Sequence, residues 1–447
     1  MTTIRIATVP PPTVPERSTT IDAVRALSLL TVIVLHALMV GAWIGTGGGL
    51  QTKVALAGET WFAPATWVVQ VMPLFFIAGG YVSLLQWRRL RSRGATVGDY
   101  VAGRVRRLAV PATLMVAAVG SALAIARVLG ADSGLVAEAS LRIGQPLWFL
   151  AVYIGATALV PAMSWLHERR PTVVLAGLAL GALVVDLASR YADLAMGYVN
   201  LVFVWLLMQQ LGFTMLDRRT SAWSRRALLA GTAVALGLLI LCVALGWSPD
   251  MIENLNPPSV ALVLLGAAQF FALQAALPWL DRVTARPSVS RVTTKVGGGA
   301  MSAYLWHMPL IMLMLAVMWL LGLPLPEPHS AAWWATRIPW LAAVFALVIP
   351  FAAAVTRADR PLARRADAIA GHPTTSRIPV AARVVLAVVL AIAGTTVALL
   401  LGLGDWSTAL LSAAPLGAAS ILSSPAHERP AVAVRNRGDA VPRHAES

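Results

Sequence analysis

IDAVRALSLLTVIVLHALMV, residues 21–40, is an apolar run that carries an arginine, Arg25, near its start and a histidine, His36, deep inside it. At 1.5 Å per residue a helix of this length covers a hydrocarbon core of about 30 Å. The run therefore reads as a membrane-crossing helix, and runs of the same kind recur along the chain. They fall at roughly 24–44, 62–86, 106–128, 147–165, 172–188, 197–215, 227–246, 259–279, 299–322, 334–356 and 382–402. Over the 447 residues, 58% are hydrophobic and 12% charged. A water-soluble domain carries roughly a quarter charged residues, so this surface must largely face lipid. The fold class is all-α: a polytopic membrane helix bundle of about ten or eleven spans.

The net charge of +15 is distributed as a topology signal. Arg88, Arg89, Arg91, Arg93, Arg104, Arg106 and Arg107 follow the second span. Arg169 and Arg170 follow the fourth, and Arg218, Arg219, Arg225 and Arg226 the sixth. Arg282, Arg286, Arg291 and Lys295 follow the eighth, and Arg357, Arg360, Arg364, Arg365 and Arg377 the tenth. The alternate loops are poor in basic residues. Every second loop is thus expected in the cytoplasm, and the N-terminus with them, in a multi-pass protein of the cell membrane. Anionic lipid headgroups, not nucleic acid, are the partners this charge implies. Residues 1–20 read as a flexible cytoplasmic tail, 21–402 as the membrane domain and 403–447 as a flexible C-terminal tail. Within that tail 407–424 is weakly apolar, is interrupted by Pro415, and is expected to be interfacial or loose. The single cysteine, Cys242, sits in an apolar run. It reads as a small buried side chain, and no metal site is expected.

Ionisable and polar side chains inside spans are costly and serve as candidates for function. Arg25 and His36 are eleven residues apart, three turns plus about 20°, so they share a face about 16 Å apart along the axis. A cation at the mouth with an imidazole behind it suits a path for an anionic substrate. It equally suits a snorkelling arginine and a histidine bonded to a neighbouring helix. In MSAYLWHMPL, residues 301–310, Ser302 is placed to cap a first turn, while Tyr304 and His307 are substrate candidates or part of an interfacial belt. Trp148 and Tyr153 open the fourth span with Gln145 and are further candidates for substrate contact, or else interhelical hydrogen-bonding groups. Asn200, Gln209, Gln210 and Gln269 read as interhelical hydrogen-bonding groups or substrate contacts, and Gly79 and Gly80 as sites of close backbone approach by a partner helix or a ligand. Arg104 and Arg107, three apart on one helix face, can clamp phosphates or simply mark topology.

Five of these features in this order carry a resemblance. They are Arg25-x10-His36, PLFFIAGG (73–80), Arg104-x-x-Arg107, PLWFL (146–150) and YLWHMP (304–309). Together, over roughly residues 20–356, the chain resembles the type 3 acyltransferase family. The resemblance implies transfer of an acyl group, usually acetyl, from cytoplasmic acyl-CoA to a hydroxyl or amine. The acceptor is commonly a sugar of a cell-surface or exported molecule; a lipid-linked acceptor fits as well. It implies His36 as the essential histidine, Arg25 as its partner on the donor side, and Arg104 with Arg107 on the CoA phosphates. Histidine suits the chemistry as a general base or, alternatively, as an acyl carrier.

Two positions depart from the family's pattern. The stretch FFIAGG, residues 75–80, lacks the serine of FFxxSG, and Tyr153 stands where polysaccharide-modifying relatives carry the glutamate of WSLxxE. The acceptor class is left open by these departures. The rival reading is a transporter or exporter that uses the same polar residues as a pathway without covalent chemistry. A glycosyltransferase would need paired acids on the outer side, and the outer loops offer no such motif.

Overall fold

The computed structural model describes residues 18–45, 49–56, 58–192, 196–218, 223–370 and 379–424, with only the helical course given for 218 and 359–370. Residues 1–17 and 425–447 of the two expected tails, with Arg219 and Arg377, lie outside the described residues.

Helix α1 spans Thr19–Met39. Its entry is set by Ser18, whose hydroxyl oxygen accepts from the Ile21 N–H at 3.4 Å, and by Asp22 in the first turn, where an acid complements the helix dipole. A hairpin follows, β1 Val40–Ile44 paired antiparallel with β2 Leu50–Val54, in the register Val40↔Val54 to Ile44↔Leu50. This pair of short strands was not expected from the composition of the loop. Next come α2 (Phe62–Val69) and α3 (Met72–Arg91), then α4 (Val97–Val128), which opens with a Thr96–Asp99 capping box. Three helices, α5 (Ser133–Gly144), α6 (Leu147–Ala158) and α7 (Val160–Arg169), form the fourth crossing, bent by 53° before α7. The remaining helices are α8 (Pro171–Tyr191), α9 (Asn200–Arg218), α10 (Arg225–Ala244), α11 (Val260–Thr284), α12 (Pro287–Leu320), α13 (Ala331–Ala370), α14 (Val380–Leu401) and α15 (Trp406–Leu422).

Among the described residues ten helices are long and apolar enough to cross a membrane, or eleven with the bent pair taken as one. Each of the eleven expected runs overlaps one of these, but the first, expected over 24–44, ends at Met39, and residues 40–44 form β1 instead. The spans differ in what they cover. Inside the molecule are 72% of the Gly197–Asp217 window and 67% of the Phe62–Arg91 window, against 11% for Pro171–Tyr191. Helices α3 and α9 therefore form the centre, while α8 presents Val173, Leu180 and Val184 outward, as a lipid-facing helix does. Glycines permit the central crossing. A Cβ on Gly80 would run into the Gln209 carbonyl, and one on Gly212 into the Ile77 carbonyl, so α3 and α9 meet backbone to backbone.

Three expectations need correction. Helix α12 begins at Pro287 rather than near 299, so Ser302 lies mid-helix and shares a 2.9 Å hydrogen bond with Thr356 instead of capping a turn. The polar stretch before residue 299 continues the helix because intrahelical bonding does not require apolar side chains. The segment after 403 is not a loose tail up to 424. Helix α15 folds back antiparallel on α14, with Ser412 Oγ donating to the Gly394 carbonyl at 2.7 Å. It also lies along α4, where Gly120 meets Ala409 and Gly417 meets Thr113. Small residues at these points let three backbones approach, and Pro415 is tolerated within the helix. At 17 residues α15 is about 25 Å long, most of a bilayer core.

Candidate functional site

The arginine-bearing ends of the helices gather at one end of the bundle. Arg88 of α3 bonds Asp217 of α9 at 2.5 Å, and Arg91 reaches Glu168 of α7 at 3.4 Å. Beside them a cavity of about 610 Å³ opens among α1, α3, α4, α6 and α12. Arg25, Arg89, Arg104 and Arg107 line it at the arginine-rich end, together with Asp22 and Gln86. His36 lines it farther in, and Arg142, Gln145 and Asn256 line its opposite part with Val40 and Val54 of the hairpin. Arg25 and His36 therefore face one space, as their spacing on α1 requires.

Arg25 and Arg104 are held but not saturated. Arg25 lies 3.9 Å from Asp22, and its guanidinium carbon sits 5.8 Å from the centre of the Phe75 ring. Arg104 donates to Gln86 Oε1 and sits 5.5 Å over Tyr100. Among the described residues, the Nε atoms of Arg25 and Arg104 are buried without a hydrogen-bond partner. Buried donors left in that state favour an acceptor from a ligand.

The wall between the helices is aromatic. Phe75 meets Phe149 edge-on at 5.2 Å, Phe149 stacks on Tyr153 at 5.4 Å, and Tyr304 meets Phe149 at 5.2 Å. Gly79 backs Tyr153, whose ring would lie 3.4 Å from a Cβ placed there. Tyr304 also donates its hydroxyl to the Pro146 carbonyl at 2.7 Å, tying α12 to the start of α6.

His36 is paired. Its Nδ1 lies 2.7 Å from Nε2 of His307, and the two rings stack with centroids 5.0 Å apart and planes 16° apart. His307 is fully buried, and its Nδ1 lies 2.6 Å from the backbone carbonyl of Tyr304, one turn earlier on α12. Of the candidates from the sequence, Arg25, His36, Arg104, Arg107, Trp148, Tyr153 and Tyr304 line the cavity. His307 does not; it stands behind His36.

The polar residues elsewhere in the spans act as interhelical hydrogen-bonding groups. Asn200 donates to the Ala182 and Pro258 carbonyls, Gln209 to Ala156, Gln210 to Met163 and Gln269 to Gln70. A second polar cluster was not singled out in the sequence. Buried His167 bridges Gln210 at 2.7 Å and Asp217 at 3.2 Å, next to the Arg88–Asp217 pair. It locks α7 to α9 and α3. Its sequence signal, HERR at the end of a span, looks like one more basic loop. Phe75, Gln86, Arg89, Arg142 and Asn256 also line the cavity without having been picked out as candidates for it. Arg89 had served only as a topology marker.

A family model described as an acyltransferase domain matches residues 19–357, most of the chain. No curated protein and no solved structure matches it.

Proposed function

The chain belongs to the type 3 acyltransferase family, and from that premise we propose that it is an acyl-CoA-dependent O- or N-acyltransferase of the cell membrane. It takes an acyl group, acetyl in the first instance, from cytoplasmic acyl-CoA. It delivers that group to a hydroxyl or amine of a cell-surface, exported or lipid-linked molecule. One observation carries the reading: a single cavity holds both the arginine cluster and His36.

CoA is a polyanion, and guanidinium groups bind phosphate oxygens in bidentate fashion. Arg25, Arg104 and Arg107, with Arg89, suit its phosphates. His36 lies about 16 Å farther along α1, on the side to which the linear pantetheine arm would carry the thioester. The positive-inside rule turns the arginine mouth toward the cytoplasm, where acyl-CoA is made. The acceptor then enters past Arg142, Gln145 and Asn256.

At His36 the ring takes the proton of the acceptor hydroxyl as its oxygen attacks the thioester carbonyl. The tetrahedral intermediate collapses by breaking the C–S bond, and the leaving thiolate recovers that proton from the imidazolium. An ester and free CoA result, with no oxidant or reductant required. If the imidazole instead takes the acyl group first, CoA leaves before the acceptor attacks, and the same atoms balance.

The test is release of free CoA from acetyl-CoA by lipid-reconstituted protein, with cell-envelope extract as acceptor. General acid–base catalysis contributes about 10²–10⁴-fold, so His36→Ala should lose at least about two orders of magnitude. Equal release by wild type and His36→Ala overturns the role of His36. No release from acetyl-, propionyl- or longer acyl-CoA by folded protein overturns the enzyme and favours the transporter.

A further inference from the structure

We propose that His307 is a positioning residue that fixes the tautomer of His36 and aims its lone-pair nitrogen, Nε2, at the cavity. The inference rests on His36 as the reacting histidine. It follows from which atoms on each ring can donate.

The chain of bonds begins at a group that can only accept. The Tyr304 carbonyl oxygen is 2.6 Å from His307 Nδ1, so Nδ1 must carry the hydrogen in that contact. With one proton on the ring, His307 Nε2 bears the lone pair. It therefore accepts the 2.7 Å hydrogen bond from His36, and His36 Nδ1 is the donor. The remaining nitrogen of His36, Nε2, is then unprotonated. That is the atom a general base or an acyl carrier must present. Among the described residues, no carboxylate is bonded to either ring. The orienting part that an acid plays for histidine in serine hydrolases falls here to a second imidazole anchored on a backbone carbonyl.

The anchor is rigid. Tyr304 and His307 lie one turn apart on α12, His307 is fully buried, and the Tyr304 hydroxyl is held by the Pro146 carbonyl. The stacked rings at 5.0 Å further restrict rotation of His36. Without His307, the His36 ring turns freely and the proton redistributes between its two nitrogens. The donor's phosphate-binding arginines, about 16 Å away along α1, are untouched by that change.

Reconstituted wild type is compared with His307→Leu and His307→Gln. Glutamine keeps an oxygen able to accept from His36 Nδ1, and leucine keeps only volume. Loss of the partner that orients a metal-bound histidine costs on the order of 10–100-fold, and the same scale is expected for the partner of His36. His307→Leu should therefore lower kcat by about that factor, with KM for acetyl-CoA and thermal stability unchanged, and His307→Gln should recover most of the loss. A second readout does not depend on turnover. Nitrogen-15 NMR of histidine-labelled protein should find His36 protonated on Nδ1 alone in wild type, and on a mixture of nitrogens in His307→Leu. A glutamine variant no more active than leucine, or a wild-type His36 protonated on Nε2, overturns the inference while leaving the acyltransferase reading in place. The expected tautomer in a protein that consumes no acyl-CoA would support the relay and overturn the enzymatic reading.

Discussion

Arg104 and Arg107 lie three residues apart on α4 but are not equivalent. Arg104 is half-buried, donates to Gln86 and keeps a buried Nε without a partner among the described residues, whereas Arg107 is exposed. A hydrogen bond to a charged group contributes about 1.5–3 kcal/mol, and solvent screening reduces what an exposed pair contributes. Arg104→Ala should raise KM for acetyl-CoA about ten- to a hundredfold, and Arg107→Ala by less, with kcat nearly unchanged in both. Arg104→Lys should restore only part, because a point charge lacks the planar fork. Steady-state kinetics decide it, and a fall in kcat at constant KM would remove Arg104 from donor binding. At this scale the sequence was legible where the geometry was local. Eleven residues along one helix fix Arg25 and His36 on one face whatever surrounds them. The partner of His36 was not legible as such, because His307 lies 271 positions away and only the packing of α1 on α12 brings the rings together. Arg89 and Arg142 were hidden for another reason: an arginine that lines a cavity and one that marks a loop look alike in a string.

Helices α3 and α9 can reach their separation only because Gly80 and Gly212 lack side chains. Overpacking a tight interior costs about 1–3 kcal/mol or more, and at this crossing the obstacle is backbone, which cannot rotate away. Gly212→Val should therefore lower the unfolding temperature in detergent and reduce the yield of folded protein. Gly237→Ala, on the outward face of α10 with nothing within 4 Å of the added carbon, should leave stability unchanged or slightly raised. Equal behaviour of the two variants would mean that the crossing is not close. Element existence was legible in the sequence because span length is dictated by bilayer thickness, and eleven runs of the required length are hard to miss. Element ends were less so. The polar turns that start α12 carry no apolar signal, and α15 is short, proline-interrupted and stabilised by small residues, which look like a linker until α4 and α14 are placed beside it. The hairpin escaped because two five-residue strands between spans leave little periodicity to read.

For the whole molecule, the ion pairs of Arg88 and Arg91 with Asp217 and Glu168 bring the ends of three separate crossings to one side. The cavity takes its polarity from that gathering: arginines at one end, His36 within, and amide side chains with Arg142 in the opposite part. Such a gradient has a direction, and the direction is the substance of the account, since acyl-CoA cannot cross a bilayer unaided. The decisive measurement uses vesicles in which the protein has one known orientation, with envelope extract inside and out and radiolabelled acetyl-CoA added to one face. The account expects label to reach an acceptor only when the donor is supplied on the face bearing Arg25 and Arg104, and expects that transfer to vanish in His36→Ala. Transfer of equal rate from the opposite face, or transfer that survives loss of His36, would contradict it.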